Sequence, residues 1–248
     1  MEWRVLKISE NAACSNMAID EAISEAVREG KSPKTIRFYT WNPSAVSIGR
    51  FQSMREEVNV ERCRELGVDT IRRITGGGAV YHDKNGEVTY SVIGNETDFR
   101  KGIRESYEEI CGWVINGLGQ LGIKAEFAPI NDIVVNGKKI SGNAQARKEG
   151  VLLQHGTILY DLNVKKMFGL LNVSKEKISD KMIKNVEDRV TRVLDYSNVT
   201  QEGLYEALLS GFTEGKEFFF GNLSEEEKSR AEELSKNTYR SDEWNFSR

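Results

Sequence analysis

The sequence is poor in the residues that build disulfide frameworks and zinc sites. It has three cysteines, Cys14, Cys63 and Cys111, and two histidines, His82 and His155, in 248 residues. The cysteines are odd in number, far apart and outside any zinc-ligand spacing, so we expect neither paired disulfides nor a structural zinc site. Few cysteines in a chain long enough for a large core are typical of a reducing cytosol.

Other absences exclude further classes of protein. Only three prolines and 22 glycines argue against a linker-rich or fibrous chain. No apolar run approaches the about 20 residues of a membrane span, and the first residues alternate like a strand without a signal-peptide core. A net charge of −3 does not indicate a general nucleic-acid or membrane binder. With 39% hydrophobic and 29% charged residues, we expect a cytoplasmic globular protein that binds neither nucleic acid nor membrane.

Strand-like and helix-like segments alternate along the chain without a repeat or a linker. Apolar spacing predicts helices over 16–29 (with Ser15 as N-cap), 58–66, 103–121 and 224–236 (with a Ser224–Glu227 capping box). Strands are predicted over 3–8, 35–40, 45–49, 69–74, 151–160 and 217–220, with hairpins joining 79–82 to 88–93 and 132–135 to 138–141. This pattern predicts one α+β domain over residues 1–248, whose mainly antiparallel sheet is flanked by helices.

The segment RRITGGGAVYHD at 72–83 is the first motif that carries chemistry. Three glycines let the backbone approach a ligand, and their amides can form an anion-binding nest. Arg72 and Arg73 add charge-assisted hydrogen bonds for phosphate or carboxylate. The motif lacks the Gly-Lys-Ser/Thr of a Walker A loop and the spacing of a dinucleotide fingerprint. It therefore predicts an anion cradle, and the alternative is a flexible hairpin turn.

Two further motifs follow, NDIVVNGKKISGNAQ at 131–145 and LLQHGTIL at 152–159. Lys138 and Lys139 point to opposite faces of a strand, so one of them can face inward as a fixed charge for a phosphate. The alternative is two solvated lysines beside a turn. Asp83 and Asp132 could hold Mg²⁺, which binds carboxylate and phosphate oxygens. His155 stands alone in an apolar strand, where a hydrogen-bonded core histidine is more common than a catalyst.

Together with the segment NMAIDE at 16–21, the three motifs resemble the lipoate-protein ligase A family, which belongs to a wider group with biotin ligases and octanoyltransferases. Their order and spacing agree over about residues 1–200. The resemblance implies a fold like that of class II aminoacyl-tRNA synthetases and biotin ligases. It also implies the archaeal-type short form, a catalytic domain without the C-terminal accessory domain.

The resemblance implies a ligase that converts lipoate and ATP to lipoyl-AMP and then acylates a lysine of an acceptor domain. Lys139 would be the catalytic residue, contacting the carboxylate and the α-phosphate. The other residues implied for ATP and the adenylate are Arg73, Gly76, Gly77, Gly78, Ala79, Val80, Tyr81, Asn131, Asp132, His155 and Thr157. Met17, Val80, His82 and Gly142 would line the lipoate pocket, and Asp83 and Asp132 would bind Mg²⁺.

The implied partners are acidic lipoyl domains of 2-oxoacid dehydrogenase E2 subunits or the glycine cleavage H protein, and a separate small accessory protein. The stretch from Lys165 to Arg192 has eight basic and four acidic residues, so it is either a solvated helical face or a patch that steers acidic acceptors. An octanoyltransferase would need a nucleophilic cysteine between about 125 and 160, yet none follows Cys111. The other alternative, a non-catalytic lipoate or nucleotide-binding regulator, is disfavoured by the intact Lys139.

Overall fold

The computed structural model describes residues 2–172 and 188–248. The strands of this part are β1 (Trp3–Asn11), β2 (Thr35–Trp41), β3 (Ala45–Ile48), β4 (Asp69–Arg72), β5 (Val80–His82), β6 (Glu87–Asn95), β7 (Glu126–Ala128), β8 (Asp132–Val135), β9 (Lys138–Lys148), β10 (Val151–Leu159) and β11 (Phe218–Gly221). The helices are α1 (Ala13–Arg28), α2 (Met54–Glu57), α3 (Val60–Glu65), α4 (Ile103–Gln120), α5 (Val164–Leu170), α6 (Gln201–Thr213), α7 (Glu225–Leu234) and α8 (Asp242–Asn245). Short 3₁₀ turns lie at Glu96–Asp98 and Val193–Asp195, and a π-helical turn at Ser235–Tyr239 follows α7.

Eight strands form a large sheet in the order β11-β1-β2-β6-β10-β9-β8-β7. Five of its seven pairings are antiparallel, and β1 is parallel to both β2 and β11. The central strands β6 and β10 are buried almost throughout, because helices cover both faces of the sheet. The predicted α+β class with a mainly antiparallel sheet is confirmed.

Neighbouring residues of β6 show how the two faces are covered. Val92 joins the core formed with α4 and α6, which includes Ile110 and Phe212. Ile93 joins a second core with Ile23 of α1. Successive side chains of a strand point to opposite faces, so α4 and α6 cover one face of the sheet and α1 covers the other. The helix α7 packs against α1.

The three remaining strands form a small sheet in the order β4-β3-β5. Its core contains Val46 of β3, Tyr81 of β5 and Phe168 of α5, and Leu159 at the end of β10 belongs to the same cluster. The small sheet therefore packs against one end of the large sheet through apolar side chains. The space between the two sheets is where the sequence motifs meet.

The predicted hairpin between 79–82 and 88–93 is wrong. The strand β5 pairs with β3 in the small sheet, whereas β6 pairs with β2 and β10 in the large sheet. The turn over 83–86 thus connects two sheets, because a local alternating pattern does not say which edge a strand will join. Ser15 is also not an N-cap, since α1 begins at Ala13 after Ala12.

Two local predictions are confirmed. The strands β8 and β9 form the predicted hairpin, with Asn136 at φ 51° and Gly137 at φ 75°, as a type I′ turn requires. Ser224 and Glu227 form the predicted capping box at the start of α7. Glu227 also accepts two hydrogen bonds from the buried Arg4 on β1, at 2.8 and 2.6 Å, which ties α7 to the sheet.

Candidate active site

A cavity of about 250 Å³ lies between the two sheets. The sequence predicts sixteen site residues, and thirteen of them line this cavity: Met17, Arg73, Gly77, Gly78, Ala79, Val80, Tyr81, His82, Asn131, Lys139, Gly142, His155 and Thr157. The fold therefore brings together side chains from α1, the glycine loop, β5, β9 and β10. Gly76, Asp83 and Asp132 are the three predicted residues that are not part of the cavity wall.

The Arg73 side chain stabilises the glycine loop by hydrogen bonds to the carbonyl groups of the loop. Its guanidinium donates to the carbonyl oxygens of Gly76 and Gly78, both at 2.8 Å, and to Ser47 Oγ at 3.0 Å. The side chain is buried, and burial lowers the pKa of Arg73 to about 10. The loop carbonyls thus turn toward Arg73, and contact between Arg73 and a nucleotide stays a prediction.

Arg72 has a structural role on the other side of the loop. Its guanidinium donates to five carbonyl oxygens, those of Gly49, Arg50, Gln52, Trp244 and Asn245. The residue is fully buried, so it is not available to an anion in the cavity. The anion cradle predicted from two arginines is wrong for Arg72, which fastens the C-terminal helix α8 to the small sheet.

Lys139 is the inward-facing lysine of the predicted pair. Its Nζ lies 2.8 Å from Asp132 Oδ1, across the β8–β9 hairpin. A β-carbon at Gly142 would lie only 2.7 Å from Lys139 Cε, so this glycine leaves the space that the lysine side chain occupies. Main-chain hydrogen bonds with Arg189 and Thr191, both 2.8 Å, seat Lys139 against the following segment. Lys139 is thus held at the cavity as a positioned cation.

Asn143 joins the second motif to the third and was not predicted as a site residue. Its Nδ2 donates to Asn131 O at 2.9 Å, and Asn131 Nδ2 donates back to Asn143 O. Tyr90 donates its hydroxyl to Asn143 Oδ1 at 2.7 Å. The position between Tyr90 and Asn143 is Gly156, whose missing side chain lets them meet. This explains physically why the His-Gly-Thr segment has a glycine.

His155 is a buried residue of the cavity wall, and its ring contacts Asp20 of helix α1. Its Nε2 is 2.7 Å from Thr75 Oγ1, and its Nδ1 is 3.5 Å from Asp20 Oδ2. Burial lowers the pKa of His155, although the Asp20 carboxylate opposes this shift. Burial would raise the pKa of Asp20, but Arg37, 2.8 Å away, together with His155 and Ser91 outweighs burial and keeps that pKa low. His155 is therefore a neutral imidazole in the wall.

The same ion pair explains the N-terminal motif. Asn16 accepts from Arg37 and donates to Thr40 O, so Asn16 and Asp20 fasten α1 to β2. Met17, between them in sequence, faces the cavity. The motif is mainly a structural brace, and a charged residue inside the apolar strand 35–41 is the signal by which Arg37 could have been found.

The predicted pair of magnesium ligands is not brought to one place in the cavity wall. Asp83 accepts hydrogen bonds from the Tyr81 hydroxyl at 2.8 Å and from the Asn85 amide at 3.1 Å. Within the described ranges, no cluster of three or more His, Cys, Asp or Glu side chains could hold a metal ion. Asp132 is the predicted carboxylate that remains next to the cavity, through its contact with Lys139.

None of the three cysteines is among the described residues that line the cavity. Burial raises the pKa of Cys63 to about 11 and that of Cys111 to about 12. Cys14 lies in the first turn of α1, where burial would raise its pKa but hydrogen bonds from Ser235 and Arg240 lower it. A thiolate nucleophile is therefore missing from the described cavity wall.

Four of the eight basic residues of the predicted patch lie outside the described residues, which omit 173–187. Of its described members, Arg192 is paired with Asp161 at 2.6 Å and with Asp195 at 3.0 Å. The ammonium group of Lys166 lies 4.0 Å from the carboxylate of Asp83.

Among the helices of the described chain, none is long and apolar enough to cross a membrane.

In a comparison with protein families, the family described as the lipoyl protein ligase A/B catalytic domain matches residues 12–213. The chain belongs to this family. It is 36% identical to an octanoyltransferase LipM of Brevibacillus brevis, over 100% of this chain and 99% of the relative. It matches the bipartite lipoate protein ligase of Thermoplasma acidophilum with 33% identity and a TM-score of 0.91, over 99% of this chain and 96% of the other. A lipoate-protein ligase A solved with ATP matches with 31% identity and a TM-score of 0.85, over 99% of both chains.

The family and its synthetase-like fold, both expected from the motifs, are thus confirmed. The activity is shown only at the level of the family, since this chain resembles proteins named as ligases and proteins named as octanoyltransferases. The choice between the two depends on the chemistry of the cavity.

Proposed function

We propose that this chain is an ATP-dependent lipoate-protein ligase. It activates lipoate to lipoyl-AMP with release of pyrophosphate, and then transfers the lipoyl group to a lysine of a lipoyl domain. The observation that carries the proposal is Lys139, held by Asp132 at a cavity whose described wall contains no cysteine. A fixed cation suits adenylate chemistry, whereas thioester chemistry needs a nucleophilic thiol.

Lys139 would serve both steps of this reaction. When the lipoate carboxylate attacks the α-phosphorus, negative charge grows on the phosphate oxygens, and a positioned ammonium stabilises it. When the acceptor amine attacks the acyl carbonyl, AMP leaves with the charge that Lys139 already faces. Asn131 and the glycine loop at 76–78 would orient the nucleotide, with loop amides as anion donors.

ATP in such a site is expected with Mg²⁺, which offsets phosphate charge. One carboxylate together with phosphate oxygens is a donor set that magnesium accepts. Asp132 is the residue that would provide the carboxylate, because it contacts Lys139, the cation proposed to face the phosphate, whereas Asp83 accepts from the Tyr81 hydroxyl and the Asn85 amide.

Octanoyl transfer is the second candidate, and the relatives named octanoyltransferase LipM favour it. Such a transfer would pass the acyl group from a carrier thioester through an acyl-cysteine. Cys63 and Cys111 are buried with raised pKa values, and Cys14 does not line the cavity. These facts favour the ligase.

The acceptor and accessory partners are proposed by similarity. The Thermoplasma ligase is described as bipartite and was studied with its E2 lipoyl domain. We extend both features to this chain, as a cytoplasmic enzyme that modifies acidic lipoyl domains with a small separate accessory protein. Ligase activity of the isolated chain would remove the need for the accessory protein.

The test is the mass of a lipoyl domain after incubation with this chain. One arm contains ATP, Mg²⁺ and lipoate, and the other contains an octanoyl carrier protein without ATP. Each is run with and without the second component of a bipartite ligase. Acylation only in the ATP arm, with release of pyrophosphate, is expected, and acylation only in the carrier arm would establish the octanoyltransferase instead.

Lys139→Ala should abolish adenylate formation but leave the fold intact. The Lys139–Asp132 pair is about 40% exposed, and such pairs contribute no more than about 1 kcal/mol. Lys148→Ala, at the exposed end of β9, is the matched control. Normal pyrophosphate release by the Lys139 variant would refute the ligase assignment. Loss of activity in a folded variant whose three cysteines are all replaced by alanine would refute it too.

A further inference from the structure

Glu87 is a buried carboxylate outside the three sequence motifs. It begins β6 and is 1% exposed. Its Oε1 lies 2.7 Å from His82 Nδ1 and accepts the Thr89 hydroxyl at 2.8 Å, while Oε2 has no partner among the described residues. Burying a charged group is costly unless it is paired, so this carboxylate points to a role beyond packing.

A series of hydrogen bonds links Arg73 through Ser47 and His82 to Glu87, and the Glu87 carboxylate sets its direction. Arg73 donates to Ser47 Oγ at 3.0 Å, and His82 Nε2 is 2.8 Å from the same oxygen. An ionised carboxylate only accepts hydrogen bonds, so Glu87 Oε1 accepts from His82 Nδ1–H. In the neutral ring Nε2 is then the acceptor, and Ser47, which can accept from Arg73 and still donate, gives its proton to His82 Nε2. One tautomer of His82 satisfies the whole chain.

A second branch connects Glu87 to Trp41. The indole of Trp41 donates to Thr89 Oγ1 at 2.8 Å, and Thr89 donates to Glu87. Trp41 also stacks on His82, with ring centroids 3.9 Å apart and an angle of 16° between planes. Both rings line the cavity. One carboxylate therefore orients two rings of the wall.

The polar side-chain atoms of Trp41, Ser47, His82 and Thr89 are hydrogen-bonded to one another or to Glu87. His82 uses both ring nitrogens, Trp41 uses its indole proton, and Ser47 and Thr89 use their hydroxyl groups. The wall therefore offers these donors to its own neighbours rather than to a ligand. Such a surface accepts an unsubstituted apolar tail, since a polar tail would leave hydrogen bonds unmade.

We propose that Glu87 is a positioning residue for the acyl-binding cavity. It holds His82 in the Nδ1–H tautomer, orients Trp41 through Thr89, and aligns Arg73 behind the glycine loop through His82 and Ser47. The proposal rests on the proposed function only for the class of ligand, a carboxylic acid with an apolar tail. It does not depend on ATP.

The test compares Glu87→Met, which removes the acceptor at similar length, with Glu87→Gln, which keeps one acceptor oxygen. Glu227→Gln, a buried carboxylate paired with Arg4 in another part of the fold, is the control. Nitrogen-15 NMR reports the tautomer of His82, and the only other histidine, His155, serves as internal reference. Binding of lipoate and octanoate is measured by calorimetry without ATP.

We expect wild-type His82 to carry its proton on Nδ1. Glu87→Met should lose this preference and bind lipoate or octanoate about tenfold more weakly, as expected for one lost hydrogen bond to a charged group. Glu87→Gln should keep the tautomer and lose less affinity. Glu227→Gln should change neither readout. If Glu87→Met does not fold, the wild-type tautomer and Glu87→Gln carry the test, and Ser47→Ala, which leaves Glu87 in place, should keep the Nδ1–H tautomer.

An Nε2–H tautomer in the wild type, or wild-type affinity in folded Glu87→Met, overturns the proposal. These readouts separate it from the proposed function. Without ATP-dependent acylation but with the expected Glu87 effects, the ligase assignment falls and the role of Glu87 stands. If ATP-dependent acylation occurs but the Glu87 variants show no effect, the ligase assignment stands and the role of Glu87 is refuted.

Discussion

Replacing Gly156 with alanine tests the contact that joins two motifs of the cavity. Gly156 lies opposite Tyr90 on one neighbouring strand and opposite Asn143 on the other. A β-carbon at position 156 would be 1.9 Å from Asn143 Oδ1 and 2.7 Å from Tyr90 Cε1. Neither side chain can keep its place, so the 2.7 Å hydrogen bond between them is lost.

The cost follows from two contributions. Overpacking a well-packed site costs about 1–3 kcal/mol, and a lost hydrogen bond adds about 1 kcal/mol. We therefore expect the free energy of unfolding to fall by about 2–4 kcal/mol. For a domain of this size, that lowers the Tm by roughly 5–15 °C. Asn143 also holds Asn131, so the KM for ATP should rise.

Urea unfolding and pyrophosphate release measure the two effects. The control is Gly119→Ala, where an added β-carbon meets no atom within 4 Å. A double-mutant cycle with Asn143→Ala locates the clash, because Gly156→Ala should cost markedly less once Asn143 is shortened. Equal costs in both backgrounds, or a Gly156→Ala protein as stable as the wild type, would refute the reasoning.

Two further predictions concern the loop and the buried histidine. Gly49→Ala places a β-carbon 2.1 Å from Gly77 O, so the glycine loop must shift and calorimetry should show weaker ATP binding; Gly112→Ala, which has open space, should bind normally. Because burial lowers the pKa of His155 against the opposing charge of Asp20, the folded protein takes up this proton less readily than the unfolded chain. The free energy of unfolding should thus decrease as the pH falls below about 6.5. His155→Gln should lack this decrease in urea unfolding over a pH series, and identical pH dependence in both proteins would contradict the assignment.

The cavity residues were largely predictable because each motif is short and local. Lys139 faces the cavity because side chains alternate along a strand. Gly142, in the same motif, leaves room for the Lys139 side chain. The apolar strand around His155 favours a hydrogen-bonded core histidine, and the contacts of His155 with Thr75 and Asp20 fit that interpretation. Contact between His155 and the adenylate, which the resemblance implies, stays a prediction. Fold class also followed from the pattern of strands and helices.

The roles of the arginines were not predictable in the same way. Arg72 ends strand β4, Arg73 follows it, and both precede three glycines, which resembles an anion site. Their hydrogen-bond partners come from distant segments, such as Ser47 and Trp244, as well as from the loop itself. Buried donors must be satisfied, and only the packing of β3 and α8 beside the loop determines that carbonyl groups satisfy them. Glu87 and Trp41 were missed for a similar reason.

The sequence alone determined the features whose causes lie within a few residues. The Asn136–Gly137 turn and the Ser224–Glu227 cap are examples, because backbone conformation and local hydrogen bonds set them. Tertiary structure decided which sheet β5 joins, which lysine partner Asp132 takes, and which carboxylate lies beside His82. Those depend on groups brought together from different sheets, and a strand pattern carries no information about its neighbours until the core has packed.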